Sequence, residues 1–372
     1  MTRIGLYAGG FLGPFGGGVI AVLIPELREA FGASTEHVTA AITVYLVPFA
    51  VLQLVSGAVG QRLGVGHTVR AAYAVYAVVS VLAAFAPGIE VFLGLRAAQG
   101  AANAFLSPLL LAALAESSPA GSVGRSVGTF AAVQTAAMVA SPLVGGLAGE
   151  ITWRLAFVAP ALAALVLAAL PLPGADAAQA ESSPLRAAFT ARVGWLSAAA
   201  YLGFLSTVGL SFLVALRAAD AFGLGPTERG LLVASFGAAG VLVGRPAGGL
   251  ADRHGRFTAA LGGSAVCATV LPLLGVAGTP ATLSLAWLVV GVGSAFLWAG
   301  VNTLTVEAVP ASRAAATSVI SAFKFAGSAT APLLWLPLYH VAPVAAFSRA
   351  GVCSLALGAV VLRLRGLAAR QT

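Results

Sequence analysis

Four polar side chains, Arg96, Gln99, Asn103 and Ser107, interrupt the otherwise apolar stretch LRAAQGAANAFLS. On a helix the spacings i, i+3, i+7 and i+11 put all four on one face. Lys324, the only lysine in the chain, also stands near the middle of an apolar stretch. In a third stretch Trp287, Gly291, Trp298 and Asn302 follow at i, i+4, i+11 and i+15, which aligns two indoles and an amide. A charged group at the centre of a membrane helix costs roughly 2.5–3.5 kcal/mol, so Arg96 and Lys324 are expected to face a cavity or a partner. A lining that is polar on one side and aromatic on the other suits an amphipathic organic molecule. A guanidinium there would favour the charged form of a nearby carboxylate or hold an anionic group. The plainer alternatives are an arginine satisfied by backbone carbonyls and indoles that simply pack.

A carrier for a proton is harder to find. The aspartates and glutamates fall near the ends of apolar stretches, and Glu26, just after Pro25, is the nearest acidic candidate; His340 lies near another end. The wholly cationic embedded set raises a second option, an acidic substrate with Lys324 or Arg96 as its counter-charge. Catalytic signatures are missing: there is no H-E-x-x-H, no G-x-S-x-G and no Walker-A lysine, and the four histidines are scattered. Cys267 and Cys353 sit inside apolar stretches without ligand spacing and are expected to pack. The sequence therefore predicts no enzyme, no metal and no cofactor.

The elements that must hold these residues follow from composition. With 59% hydrophobic and 9% charged residues over 372 positions and a mean hydropathy of +0.97, too little polar surface exists to coat a soluble globule. Lipid permits helices or closed barrels, and stretches of about 20 residues without two-residue alternation are helices. Twelve are expected, over 4–27, 37–60, 68–86, 89–114, 123–148, 153–171, 193–215, 227–249, 258–277, 281–305, 314–340 and 344–363. The first is too long for a signal-peptide core and is taken as a span.

A net charge of +8 raises the question of nucleic acid, but the charge follows the membrane. With a cytoplasmic N-terminus, Arg3, Arg62, Arg70, Arg125, Arg186, Arg192, Arg253, Arg256, Arg313, Arg363, Arg365 and Arg370 fall inside, against Arg28, Arg154, Arg217, Arg229 and Arg349 outside. That asymmetry places both termini in the cytoplasm. Arg245 stands near a span end from which it can snorkel. Residues 171–192, rich in Pro, Ala and Ser and carrying Asp176, Glu181 and Arg186, read as a cytoplasmic linker between six-helix bundles at 1–170 and 193–372.

The halves also share a register. The stretch GGLADRHGRF at 248–257 is answered 191 positions earlier by GAVGQRLGVG, pairing Gly57 with Gly248, Arg62 with Arg253 and Gly64 with Gly255; Gln61 stands opposite Asp252. The same offset pairs Gly100 with Gly291, Glu116 with Glu307 and Pro119 with Pro310. A fixed offset over several segments reads as a duplication, the plan of many secondary transporters.

The motif G-x-L-a-D-R-x-G-R resembles the loop between the second and third spans of each half in the major facilitator superfamily. The resemblance implies two pseudo-symmetric six-helix bundles that rock about a shared substrate site. It also implies that Asp252, Arg253 and Arg256, with Arg256 beyond Gly255, help hold one access state shut. The carboxylate is expected to cap a helix. Arg96 in L-R-A-A-Q-G resembles the span 4 signature R-x-x-Q-G of drug:proton antiporters, which implies a part in proton coupling. The run from Gly128 through Ala137 to Ser141-Pro142-Leu143-Val144-Gly145-Gly146 resembles their span 5 signature, with Ala137 and Ser141 replacing glycines. Pro142, Gly145 and Gly146 are expected to bend that helix where it packs closely.

The expectation is a monomeric, multi-pass transporter of the cytoplasmic membrane that exports a small amphipathic compound in exchange for protons. Its partners would be substrate, proton and lipid, and no nucleic acid. Uptake by the same fold, a membrane sensor and an embedded enzyme stay as alternatives.

Overall fold

A computed structural model describes residues 3–119, 121–175, 190–306, 308 and 313–368. Most of the expected linker, residues 176–189, lies outside them, as do Glu307, Pro310 and Arg370. Among the described residues the regular structure is helical, as lipid demands of a chain whose backbone polar groups must pair within each segment. Among the described residues eleven helical segments are long and apolar enough to cross a membrane, and a shorter apolar helix, Leu155–Ala169, occupies the expected sixth span. The helices are α1 (Ile4–Gly18), α2 (Ile24–Phe31), α3 (Thr35–Leu63), α4 (Val65–Ala84), α5 (Ile89–Asn103), α6 (Leu106–Glu116), α7 (Val123–Ile151) and α8 (Leu155–Ala169). They continue with α9 (Ala191–Ser206), α10 (Ser211–Phe222), α11 (Pro226–His254), α12 (Arg256–Val276), α13 (Pro280–Val306), α14 (Arg313–Val341) and α15 (Pro343–Ala368).

The chain divides into two compact units, Met1–Ser182 and Ser183–Thr372. In the first, Leu6, Tyr73, Leu106, Leu110, Leu114 and Phe130 form a core. In the second, Leu297, Val301, Leu357 and Val361 form one with Ala199 of α9 and Ala260 of α12. The outer faces are apolar as well: Leu147, Val241, Leu242 and Val352 are all exposed. Such surface is unfavourable in water and natural against acyl chains.

Three expected single helices are interrupted. The first span turns from α1 into a 3-10 segment at Val19–Val22 before α2, and the seventh turns from α9 into Val208–Leu210 before α10. The fourth breaks at Ala104-Phe105, between α5 and α6. In the first span Pro14 removes an amide hydrogen, and four glycines, Gly13 and Gly16–Gly18, weaken the helix just before the break.

The 191-residue register survives in backbone geometry. Gly32 and Gly223 end α2 and α10 in the left-handed conformation at φ 56° and 64°. Gly64 and Gly255 join α3 to α4 and α11 to α12 at φ 84° and 91°, with ψ near 131° and 142°. Glycine is the residue that adopts this last region without strain. Gly100 and Gly291 each press against a neighbouring backbone, that of Tyr45 and of Phe236, and those partners are themselves 191 apart.

These joints correct one expectation. The motif's charges belong to a short loop by resemblance, but the loop is one glycine. Gly57 and Arg62 lie within α3, and Gly248, Asp252 and Arg253 within α11, where each helix runs three to five residues past the expected end. Asp252 is exposed and caps nothing, since α12, entered through Gly255 at its N-cap, has no side-chain cap.

Candidate functional site

In the first unit the polar face predicted on span 4 turns onto α1. Arg96, Gln99 and Asn103 are at most 1% exposed. Both Nη atoms of Arg96 donate to the Gly16 carbonyl, each at 3.2 Å, and Nη1 also donates to Gln99 Oε1 at 2.5 Å. Gln99 Nε2 donates to Ser80 Oγ at 2.5 Å, and Ser80 Oγ to the Tyr76 carbonyl at 2.6 Å. Asn103 Nδ2 donates to the Gly13 carbonyl at 2.7 Å and to Tyr45 Oη at 2.5 Å. Ser107, beyond the break, accepts from Gln134 Nε2 on α7 at 3.0 Å.

The carbonyls of Gly13 and Gly16 are reachable because α1 presents glycine to α5, with no side chain between. A carbonyl oxygen has two lone pairs, so it accepts these bonds beside its helical one. Arg96 has no carboxylate partner among the described residues. Its charge rests instead on carbonyl and amide oxygens and on the Tyr45 ring, 4.2 Å from the guanidinium carbon to the centroid. A desolvated cation–π contact of this kind is worth about 2 kcal/mol. Oxygens take the Nη donors while Arg96 Nε is buried without an acceptor, and the network that the guanidinium heads locks α1, α3, α4 and α5 together.

Span 5 also meets the first span. Ser141 Oγ donates to the Phe15 carbonyl at 2.7 Å. A Cβ on Gly145 would lie 3.0 Å from Val19 and Val22, so the two segments are close-packed there. Pro142, Gly145 and Gly146 are buried within an α7 that remains a continuous helix.

In the second unit Lys324, Asn302 and Trp298 come together. Lys324 Nζ donates to Asn302 Oδ1 at 3.2 Å and lies over the Trp298 ring at 4.5 Å and the Phe204 ring at 5.9 Å. Phe204 in turn meets Trp298 and Phe325 edge to face. Among the described residues no carboxylate pairs with this ammonium. The Trp298 Nε1 hydrogen is buried without an acceptor.

Trp287 stands apart from this group. It is wholly buried, stacks on Phe236 at 4.8 Å and donates through Nε1 to the Val233 carbonyl at 3.2 Å. The two indoles share a helix face but not a site: Trp287 packs α13 on α11, and Trp298 joins the lysine.

Beside α9 and α14 lies an open-mouthed cavity of about 710 Å³, lined by residues that include Val193, Ser197, Tyr201, Leu202, Val319 and Phe323. Glu26 lies in the first turn of α2 and is half-buried. Arg62 and Arg253 are exposed near the ends of their helices, Arg245 lies on the same helix as Arg253, and Arg256 lies over the Phe257 ring.

Several participants escape a reading of the sequence. Tyr45, Tyr76 and Ser80 lie on helices whose apolar pattern gives no reason to single them out, and Phe204 looks like any other packing position. The available signal is the offset itself, because Tyr45 and Phe236 lie against the paired glycines.

A family model for the Major Facilitator Superfamily matches residues 6–332. Over 215 residues, 55% of this chain and 40% of the relative, the sequence is 31% identical to the uncharacterized MFS-type transporter EfpA of Mycobacterium tuberculosis. It is 34% identical over 129 residues to the multidrug efflux pump LfrA of Mycolicibacterium smegmatis, covering 34% and 26% of the two chains. It is 28% identical over 169 residues to the tetracenomycin C resistance and export protein of Streptomyces glaucescens, covering 44% and 31%. The matches thus span less than half the length of these curated relatives. In structure the chain resembles the xylose transporter XylE of E. coli, with a TM-score of 0.75 at 15% identity over 97% of this chain and 96% of that one. A bacterial homologue of the human lysosomal transporter Spinster superimposes with a TM-score of 0.71 at 14% identity, over 97% and 94%. With a family match across most of its length and a fold shared with solved members, the chain belongs to the Major Facilitator Superfamily.

Proposed function

We propose that the protein exports small amphipathic organic compounds across the cytoplasmic membrane by alternating access, driven by proton exchange. The observation that carries this reading is the ammonium of Lys324, held mid-span by aromatic faces and an amide with no acidic partner among the described residues. Such a group is costly as packing and useful as a contact for cargo. Export is favoured over uptake by the alignments with LfrA and the tetracenomycin C export protein, whose names state efflux. The relevant machinery is Gln99, Asn103 and Ser107 with Arg96 in the first unit, and Trp298, Asn302 and Lys324 in the second. Trp287 supports the helix that carries the latter set.

The bundles are assigned to 1–170 and 193–372 with a cytoplasmic linker at 171–192, both termini inside, and a monomer as the working unit. Asp252, Arg253 and Arg256, with Gly57, Arg62, Gly64, Gly248 and Gly255, are assigned to gating by resemblance. Glu26 is the acidic candidate for proton exchange.

The test is flux. Everted vesicles from cells expressing the full chain should accumulate tetracenomycin C when energised, and a protonophore should abolish the accumulation. Movement in the opposite direction would turn the reading to uptake, and no flux above empty vesicles for any compound would overturn transport.

A further inference from the structure

The Lys324 cluster is rich in donors and poor in acceptors. An ammonium has three N–H bonds, and one of them meets Asn302 Oδ1. Lys324 is half-buried, and its nitrogen lies 4.5 Å from the Trp298 centroid and 5.9 Å from that of Phe204, rings that attract a cation but accept hydrogen bonds weakly. The Trp298 indole N–H has no acceptor, and the Ser197 hydroxyl on α9 is buried without a partner. Buried donors without acceptors each cost about 1–3 kcal/mol, so the Trp298 N–H and the Ser197 hydroxyl suit an occupant that brings acceptors.

The neighbouring cavity supplies the rest. Its wall is aliphatic and aromatic, from Val193, Leu202, Val319 and Phe323, and the orphaned Ser197 lines it. The cavity ends one residue from the Trp298 contact on α9: Leu202 lines it, and a Cβ on Gly203 would lie 3.0 Å from the Trp298 ring. Leu202 also packs in the same cluster as Trp298. Tyr201, also of the cavity wall, stands one turn before Phe204 on α9, whose ring lies 5.9 Å from Lys324 Nζ. A volume of about 710 Å³ accommodates a fused-ring or medium-chain apolar body.

We infer that the second unit holds a binding site for an amphipathic organic anion, with its apolar body in the cavity between α9 and α14 and its anionic head at Lys324 and the Trp298 N–H. Charge complementarity selects the occupant. A neutral compound leaves the ammonium without a counter-charge, and a cationic one is repelled by it. This inference rests on the transport reading for its purpose, but binding is measured independently of flux.

The probes are naphthalene-1-sulfonate, which stays anionic at all working pH values, and its neutral isostere naphthalene-1-sulfonamide. Equilibrium binding is measured on the full chain in lipid nanodiscs. The sulfonate should bind about tenfold or more tightly than the sulfonamide, by the strength of charge-assisted hydrogen bonds. Lys324→Gln should remove that preference while leaving sulfonamide affinity within about twofold, and Lys324→Arg should keep most of it. Trp298→Phe, which retains the ring face and loses the N–H, should weaken the sulfonate several-fold and the sulfonamide little. A Cβ on Gly194, another residue of the cavity wall, meets open space, so Gly194→Leu should fold and should weaken both probes by filling the cavity.

Equal affinity for the two probes, no sulfonate binding at millimolar concentration, or equal losses for both in Lys324→Gln would overturn the anion site. Should that happen while tetracenomycin C flux persists, export stands and only this inference falls. Selective sulfonate binding without flux of any compound would sustain the anion site and overturn export.

Discussion

Arg96 lies over the Tyr45 ring at 4.2 Å, and 191 positions later Trp287 stacks on Phe236 at 4.8 Å. The same two backbone positions thus carry a cation–π pair in one unit and an aromatic pair in the other. Beside each pair a glycine, Gly100 or Gly291, brings the helices into backbone contact. Duplication preserved the geometry while the side chains diverged, which leaves one unit with a buried guanidinium at this crossing and the other with an apolar plug.

Arg96→Lys should keep the charge and lose the fork on the Gly16 carbonyl, because an ammonium cannot present two coplanar donors and a flat face at once. Transport should fall at least about tenfold with the protein still in the membrane. Arg96→Ala, which leaves Gln99 Oε1 without its donor and opens a void, should also destabilise by about 2–4 kcal/mol. Flux in vesicles and thermal unfolding in detergent separate the two effects. Full activity in the lysine variant would remove Arg96 from the machinery.

Gly100→Ala and Gly291→Ala should each destabilise by about 1–3 kcal/mol, since the added methyl meets backbone that can yield only by separating helices. Gly94→Ala, on the same helix as Gly100 but facing open space, should be neutral or slightly stabilising. Unfolding temperatures of the three variants check the pattern, and equal shifts would contradict the close-packed crossings.

Gly255→Ala should cost about 1–3 kcal/mol because its φ of 91° lies where a Cβ is strained. Gly248→Ala, inside α11 with open space at its Cβ, should leave stability unchanged. Asp252→Asn is likewise expected to be neutral for stability, as the carboxylate is exposed. A loss of transport in either of the last two without a loss of stability would locate the motif's role in gating; full transport in both would argue against it.

Ser141→Ala should destabilise by about 0.5–1.5 kcal/mol by removing the bond to the Phe15 carbonyl. Gly145→Val should cost more, since its side chain would enter space held by Val19 and Val22. Denaturation of the purified chain measures both. A larger effect from Ser141→Ala than from Gly145→Val would mean that hydrogen bonding, rather than close contact, holds α7 to the first span.

Hydropathy and the lack of two-residue alternation determined that this chain is helical and membrane-embedded, because lipid permits only helices or closed barrels, which alone pair every backbone polar group. The fixed offset determined that its halves are copies, and span chemistry picked out Arg96, Asn103, Trp298, Asn302 and Lys324, since charges and amides in lipid are too costly to be incidental. Tertiary structure decided which of them meet. Periodicity set Trp287 and Trp298 on one stripe, yet depth along the helix gave one to packing and the other to the lysine. Resemblance put Asp252 in a loop, but helix continuation through the last turn left one glycine as the whole connection. Tyr45, Phe204 and the acceptor-free indole N–H entered only with coordinates, because a residue's partner across a helix crossing depends on which neighbours approach and how closely, and no one-dimensional spacing records that.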